Sequence, residues 1–434
     1  MPPATVRTAP IADSAQVVDA LALARERTLR MVEPICESDL ERVHSTLMSP
    51  LVWDLGHIAA YEDLWLVHRL GGQAMLRGEL AEVYDAFETP RAQRGELAHL
   101  GCDEAYAYLA EVRSRVLELL DQRGAADGLL PELVLRHEHQ HQETMMQTIG
   151  LARLADHRRD DLPGLPAATS DDHTGLELVD VPAGRCEIGA GATGFSYDNE
   201  RPRRCVELPG FRIGRTQITN GTFLHFVEGG GYQRRELWRA EAWRWKEQYD
   251  ITRPMNWTED GREWRIGGYE PLDPDKPVSH VSWFEADAFA RAHDARLPTE
   301  LEWEKAATWD QERGAARRYP WGDEPPGAER ATLDQAGLGP APAGAYPAGA
   351  APSGCLGMVG DVWEWTSSHF DGYPGFRPHP YREYSEVFFG TEYRVLRGGS
   401  WATASRVATP TFRNWDYPAR RQLFSGFRIA GEPT

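Results

Sequence analysis

The sequence predicts a helical bundle followed by an irregular α+β domain. Before about residue 156, four long stretches carry apolar residues at three- and four-residue spacing. A Pro/Ser/Asp-rich stretch, LPGLPAATSDDHT at 162–174, then breaks the pattern, and beyond it short strand-like runs alternate with Gly and Trp. At 434 residues the chain is too long for one ordinary domain, and two or three are expected. Hydrophobic residues at 41% and charged residues at 26% are ordinary for a chain that buries a sizeable core.

The spacing predicts helices over Ser14 to Val32, Leu51 to Leu70, Asp103 to Arg123 and Leu129 to Ala155. Joined by polar connections, they read most simply as a four-helix bundle over 14–160. The linker follows at 161–175, and the second domain spans 176–432. Its short runs are LELVDVPAG at 176–184, YPWGD at 319–323, GDVWEWTSS at 360–368 and RVLRGGSW at 394–401. Two helices, Trp283 to His293 and Glu300 to Thr308, interrupt them. The 15 Trp fit a loop-rich domain in which large side chains substitute for long regular elements. With no fixed-period repeat, a solenoid or propeller is not expected.

A formal net charge of −19 argues against nonspecific binding to nucleic acid or to an anionic membrane surface. The five cysteines, Cys36, Cys102, Cys186, Cys205 and Cys355, are scattered and form no CxxC pair. Neither a disulfide framework nor a zinc knot is indicated, and a reducing cytoplasm fits best. Met1 to Asp13 has no apolar core of signal-peptide length, and no apolar run approaches the ~20 residues needed to span a bilayer. The expectation is a soluble cytoplasmic protein.

The strongest chemical signal is HEHQH at 137–141, inside the fourth predicted helix. Residues on a helix turn by ~100° each, so His137 and His141 share a face and can ligate one metal. Leu130, Val134 and Met145 lie on that face, which is therefore read as the buried one. Burying two imidazoles without a partner is costly, which favours metal binding. His139 points away and, like His68, is read as an ordinary histidine. His57 is the best third donor, because Trp53, His57, Tyr61 and Leu64 form one stripe on the second predicted helix. Three neutral nitrogen donors leave half of an octahedral iron open. The same five residues also satisfy HExxH, in which two histidines bind zinc and the glutamate is the base of a hydrolase. No downstream histidine or glutamate in a recognisable protease context accompanies them.

These residues carry a resemblance. SPLVWDLGHIAAYEDLWL at 49–66 and HEHQHQETMMQ at 137–147 resemble a DinB-type bundle. VSWFEADAFARAHDARLPTELEWEKAA at 281–307, YPWGD, GDVWEWTSS, RVLRGGSW and the terminal GFR at 426–428 resemble the formylglycine-generating-enzyme family, a variant of the C-type lectin fold. The fusion resembles the ergothioneine-biosynthesis sulfoxide synthases from about Ala15 to Ala430. Formylglycine-generating enzymes use cysteines near the end of the domain. No Cys follows Cys355 here, so that oxidase activity is not expected.

The resemblance implies Fe(II) held by His57, His137 and His141, with O2 as oxidant. It implies as substrates hercynine (N-α-trimethylhistidine) and a cysteine-containing thiol, joined through sulfur to imidazole C2 as a sulfoxide. YDAFETPRAQR at 84–94 matches the family stretch that supplies two arginines, placed here at Arg91 and Arg94. RNWDYPARRQ at 413–422 matches the segment that supplies an acid and an arginine, Asp416 and Arg420. Two carboxylates and one ammonium need such forks and one acid, so the set favours γ-glutamylcysteine over free cysteine. Gln140, Tyr384, Asn414 and Trp415 are carried over as hercynine contacts, in keeping with the attraction of aromatic faces for a quaternary ammonium. Tyr381, in PYREYSE at 380–386, matches the family's active-site tyrosine, whose phenol can deliver a proton or hydrogen atom as oxygen is reduced. With ligands before 142 and substrate contacts after 380, the resemblance requires both domains to serve one cleft.

Three rivals stand beside this reading. A sister sulfoxide synthase of ovothiol type would attack the other imidazole carbon of unmethylated histidine, forming 5-histidylcysteine sulfoxide. The γ-glutamylcysteine set and the absence of a fused methyltransferase domain argue against it. The others are the HExxH zinc hydrolase and a non-enzymatic lectin-like binding module, whose function would survive mutation of His137.

Overall fold

The computed structural model describes residues 13–154, 164–167 and 173–433. Much of the expected linker at 161–175 lies outside the described residues, as do Ala155 and the expected end of the first domain at 160. The described chain divides into two compact units. One holds the residues up to 154 with Ile266–Gly268, and the other holds the rest.

In the first unit α1 spans Ser14–Val32, opened by Asp13, whose side chain accepts from the Ala15 amide at 3.0 Å. It buries Val17, Leu21, Ala24, Thr28 and Met31, one stripe at helical spacing. A short α2, Glu37–Glu41, follows. Next comes α3, Leu51–Glu62, preceded by Pro50. The sequence predicts one straight helix to Leu70, but from Asp63 to Leu70 the backbone widens into a π-helix. The widening accompanies two adjacent buried acids with separate partners. Glu62 takes arginines, while Asp63 accepts from the Leu76 and Arg77 amides and from the Tyr108 hydroxyl at 2.9 Å.

The helix α4, Cys102–Arg123, stops at Gly124, whose φ of 76° lies in the left-handed region that glycine tolerates. It is followed by α5, Leu129–Ala152. Helix α1 packs on α4 and α5, and α3 packs on the same two. The polar interior is organised by Arg25 and Arg113, which share Glu62 and Glu138. The two arginines balance the two glutamates, so Glu62 and Glu138 each have opposite charges beside them.

The second unit places short strands around α6 (Asn220–Glu228), α7 (Ala240–Gln248), α8 (Trp283–Ala292) and α9 (Glu300–Thr308). Both α8 and α9 open with capping boxes, Ser282 with Glu285 and Thr299 with Glu302. The strands are β1 (Leu178–Val181), β2 (Gly184–Ile188), β3 (Arg204–Leu208), β4 (Phe211–Gly214), β5 (Arg262–Arg265), β6 (Gly268–Pro271), β7 (Trp309–Asp310), β8 (Ala315–Ala316), β9 (Trp363–His369), β10 (Arg394–Arg397), β11 (Asn414–Asp416), β12 (Ser425–Gly426) and β13 (Ala430–Gly431). They form a three-stranded sheet β1-β4-β13, a four-stranded sheet β11-β10-β9-β12 and three two-stranded ribbons.

The core of this unit holds fully buried arginines beside its tryptophans. Arg428 grips Glu364 through Nε at 2.6 Å and Nη2 at 2.7 Å, and the Trp303 indole donates to the same carboxylate at 2.8 Å. Arg413, just before β11, grips Glu300 at 2.8 and 2.9 Å. That clamp and the pairing of Val395 with Trp415 hold β11 in register. Among the described residues no helix is long and apolar enough to cross a membrane.

Candidate metal centre

Helix α3 carries His57 and helix α5 carries His137 and His141, and the three offer nitrogen donors all within 4.8 Å of one another. His57 Nε2 and His137 Nε2 stand 3.0 Å apart. Two nitrogens bound cis at ~2.1 Å on one ion would be separated by ~3.0 Å, so the pair fits a single metal.

Two of the three tautomers are set by neighbours. His57 Nδ1 lies 2.6 Å from the Tyr84 carbonyl, which only accepts, so Nδ1 carries the proton and Nε2 presents a lone pair. His141 Nδ1 likewise donates to Asp54 Oδ1 at 2.9 Å, which frees Nε2 as a donor to metal. Ring packing fixes the orientations. The Trp53 indole stacks on His57 at 4.9 Å and 14°, and the Tyr61 ring stacks on His137 at 3.6 Å and 6°. Burial, with the neighbouring imidazoles, holds the pKa of both His57 and His137 well below the usual histidine value. Both are neutral at physiological pH, as metal ligation requires. The residues present therefore fit a divalent transition metal with imidazole affinity.

Sequence reasoning treats the histidine face of α5 as its buried face. The structure buries this helix more widely. Glu138 and Gln142 form a second i, i+4 stripe, fully enclosed against α1, while His137 and His141 are only half-buried. Gln142 donates to the Ala24 carbonyl at 2.9 Å and to Thr28 Oγ1 at 3.0 Å. Glu138 accepts from Arg25 Nε at 2.9 Å, Thr28 Oγ1 at 2.8 Å and Arg113 Nη2 at 3.3 Å. Burial opposes its ionisation, yet the two arginines hold its carboxyl below the usual range. A carboxylate so committed has no oxygen for an attacking water, which removes the base that an HExxH hydrolase needs. His139 Nδ1 pairs with Gln142 Oε1 at 3.0 Å, and His68 Nδ1 with the Gln73 carbonyl at 2.9 Å.

Of the other expected site residues in this unit, Arg94 is buried and Arg91 half-buried. Arg94 stacks on Trp53 at 3.9 Å and donates to the Thr89 and Ala86 carbonyls and to Ser49 Oγ. Three of its five N–H groups are thus engaged by the protein. Burial, with Arg91 nearby, lowers its pKa to about 10. Gln140, next to His141 in the chain, is half-buried.

In the second unit Tyr381 immediately precedes a 3-10 turn, Arg382–Tyr384. Tyr384 stacks on Tyr197 at 4.5 Å and 6° and meets Trp415 edge-on at 6.1 Å. Trp415 itself lies flat on Phe370 at 4.1 Å and 8°. Alternation along β11 puts Asn414 and Asp416 on the face opposite Trp415. Asp416 Oδ1 pairs with Arg420 Nε at 3.5 Å.

Asp54 and the Tyr84 carbonyl were missed by sequence reasoning. A lone acid within the apolar run SPLVWDLGHIAA is a signal that could have found Asp54. A backbone carbonyl leaves no such trace.

The model described as the DinB superfamily matches residues 20–145, and that described as the sulfatase-modifying factor enzyme 1-like domain matches 166–433. The chain is thus a fusion of these two domain classes. A hercynine oxygenase of Mycolicibacterium smegmatis is 46% identical over 428 residues, covering 95% of this chain and 98% of that one. One of Mycobacterium tuberculosis is 45% identical over 414 residues, covering 94% and 97%. A formylglycine-generating enzyme of Streptomyces coelicolor is 34% identical over 259 residues, 51% of this chain and 78% of that one. The chain belongs to the hercynine oxygenase family.

Proposed function

We propose that this chain joins the sulfur of γ-glutamylcysteine to C2 of the hercynine imidazole, using O2 and Fe(II) held by His57, His137 and His141. The observation that carries this reading is the three-imidazole cluster, with two tautomers preset, in a chain 46% identical to a hercynine oxygenase. The reaction balances without a further reductant. The C2–H and S–H bonds break, C–S and S=O bonds form, one oxygen atom enters the sulfoxide and the other leaves as water.

Bound Fe(II) supplies redox chemistry and open coordination positions. The chain's residues do the rest. Tyr84 and Asp54 keep Nδ1 protonated on His57 and His141, so both rings present Nε2. Arg91 and the uncommitted N–H groups of Arg94 take one carboxylate of γ-glutamylcysteine, while Asp416 takes its ammonium and Arg420 the second carboxylate. Gln140, Tyr384, Asn414 and Trp415 bind hercynine, with aromatic faces toward its quaternary ammonium. The Tyr381 phenol donates a proton or hydrogen atom as oxygen is reduced, which favours C–S bond formation over oxygenation of the thiol. Holding both substrates together supplies much of the rate. On this reading the first domain is a four-helix bundle, the second a C-type-lectin variant, and the cytoplasm the compartment.

The test is anaerobic loading with Fe(II), addition of hercynine, γ-glutamylcysteine and O2, and mass spectrometry of the product. The expected product is a sulfoxide adduct of the two substrates. Coupling only of histidine with cysteine would move the assignment to the ovothiol type. Silence with tightly bound zinc would reject an oxygenase altogether.

A further inference from the structure

Asp54 lies one turn before His57 on α3, with 0% of its surface exposed. Its Oδ1 accepts from His141 Nδ1 at 2.9 Å, and its Oδ2 has no hydrogen-bond partner. Buried polar atoms are rarely left in this state, and a buried carboxylate oxygen without a partner is costly. No arginine or lysine lies within ion-pair distance of it among the described residues, the buried Arg94 guanidinium acting on it only from farther off; its one ion-pair contact is the His141 ring. That ring is one of the three imidazoles of the cluster.

We infer that Asp54 is a positioning residue for the metal centre: it fixes the tautomer and aim of His141, and its negative charge is balanced through the imidazole by the bound cation. The inference rests on the reading that the three histidines hold a metal. A carboxylate behind a metal-bound imidazole raises the basicity of that ligand, and loss of such partners weakens metal binding ~10–100-fold. The carboxylate therefore burdens the metal-free protein and strengthens the loaded one. A group with a merely structural role would stabilise both.

The test compares Fe(II) dissociation constants, from anaerobic titration, and metal-free unfolding midpoints for the wild type, Asp54→Ala and Asp54→Asn. Asp54→Ala should bind Fe(II) ~10–100-fold more weakly. Asp54→Asn, which keeps an acceptor for Nδ1 but loses the charge, should lose less. Neither metal-free midpoint should fall. Wild-type affinity in Asp54→Ala would overturn the inference and leave the metal centre standing. So would a metal-free midpoint that drops in both variants. A wild type that binds no Fe(II) at one equivalent would overturn the metal centre itself, and this inference with it.

Discussion

Glu138 sits between two metal-ligand candidates in the chain and yet belongs to another set of contacts. Its carboxylate is shared by Arg25, Arg113 and Thr28. Glu138→Gln should cost about 3–5 kcal/mol, the usual penalty for breaking a buried ion pair, while leaving one equivalent of Fe(II) bound. Chemical denaturation and metal analysis check both halves, and loss of metal without loss of stability would contradict them. Tyr381→Phe removes only a hydroxyl. It should keep iron and both substrates and shift the product from sulfoxide toward the sulfinate of the thiol, as read by mass spectrometry. An unchanged sulfoxide yield would remove the phenol from the chemistry. At this scale the histidines are legible because i, i+4 spacing alone puts two rings on one face. Asp54 is not, since its partner is 87 positions away in the chain and only the packing of α3 on α5 joins them.

At the scale of elements, α5 works as two stripes. His137 and His141 form the stripe proposed to hold the metal, and Glu138 and Gln142 tie the helix to α1. The extent of α1 is readable from its periodicity, whereas the five-residue α2 and the π-helical turn after Glu62 are not. Five residues give too little periodicity. The π turn depends on the remote partners of Asp63, Leu76 and Tyr108 among them. The packed histidines also set a pH dependence for the metal-free protein. His57 and His137 are held neutral in the fold, while in the unfolded chain they take up protons below about pH 6.5. Protons then favour the unfolded state. Stability is full above that pH and falls as pH drops below it, by up to about 1.4 kcal/mol per pH unit for each histidine. Unfolding free energies at about pH 7.5 and about pH 5.5 check this. His137→Gln should show a shallower decline, and a flat wild-type profile would contradict it.

For the whole molecule, two domain classes share one chain, and the change of pattern near 162–174 makes both halves visible in sequence. The arginine-rich core of the second unit is not visible there. Arg397, Arg413 and Arg428 would pass for surface charges, yet each is buried against Glu300, Glu304 or Glu364. A metal that binds only the folded chain should raise its stability by about 2.7 kcal/mol at a free concentration 100 times the dissociation constant. Anaerobic unfolding with and without Fe(II) should show that rise in the wild type and not in His137→Ala. An equal rise in both would place the metal elsewhere.

The most direct measurement uses hercynine carrying deuterium at imidazole C2, with Fe(II)-loaded protein, γ-glutamylcysteine and O2. Bond formation at C2 predicts a sulfoxide adduct that has lost the label. An adduct that keeps the deuterium would put the new bond on another carbon, and no adduct from the iron-loaded protein would contradict the proposed reaction.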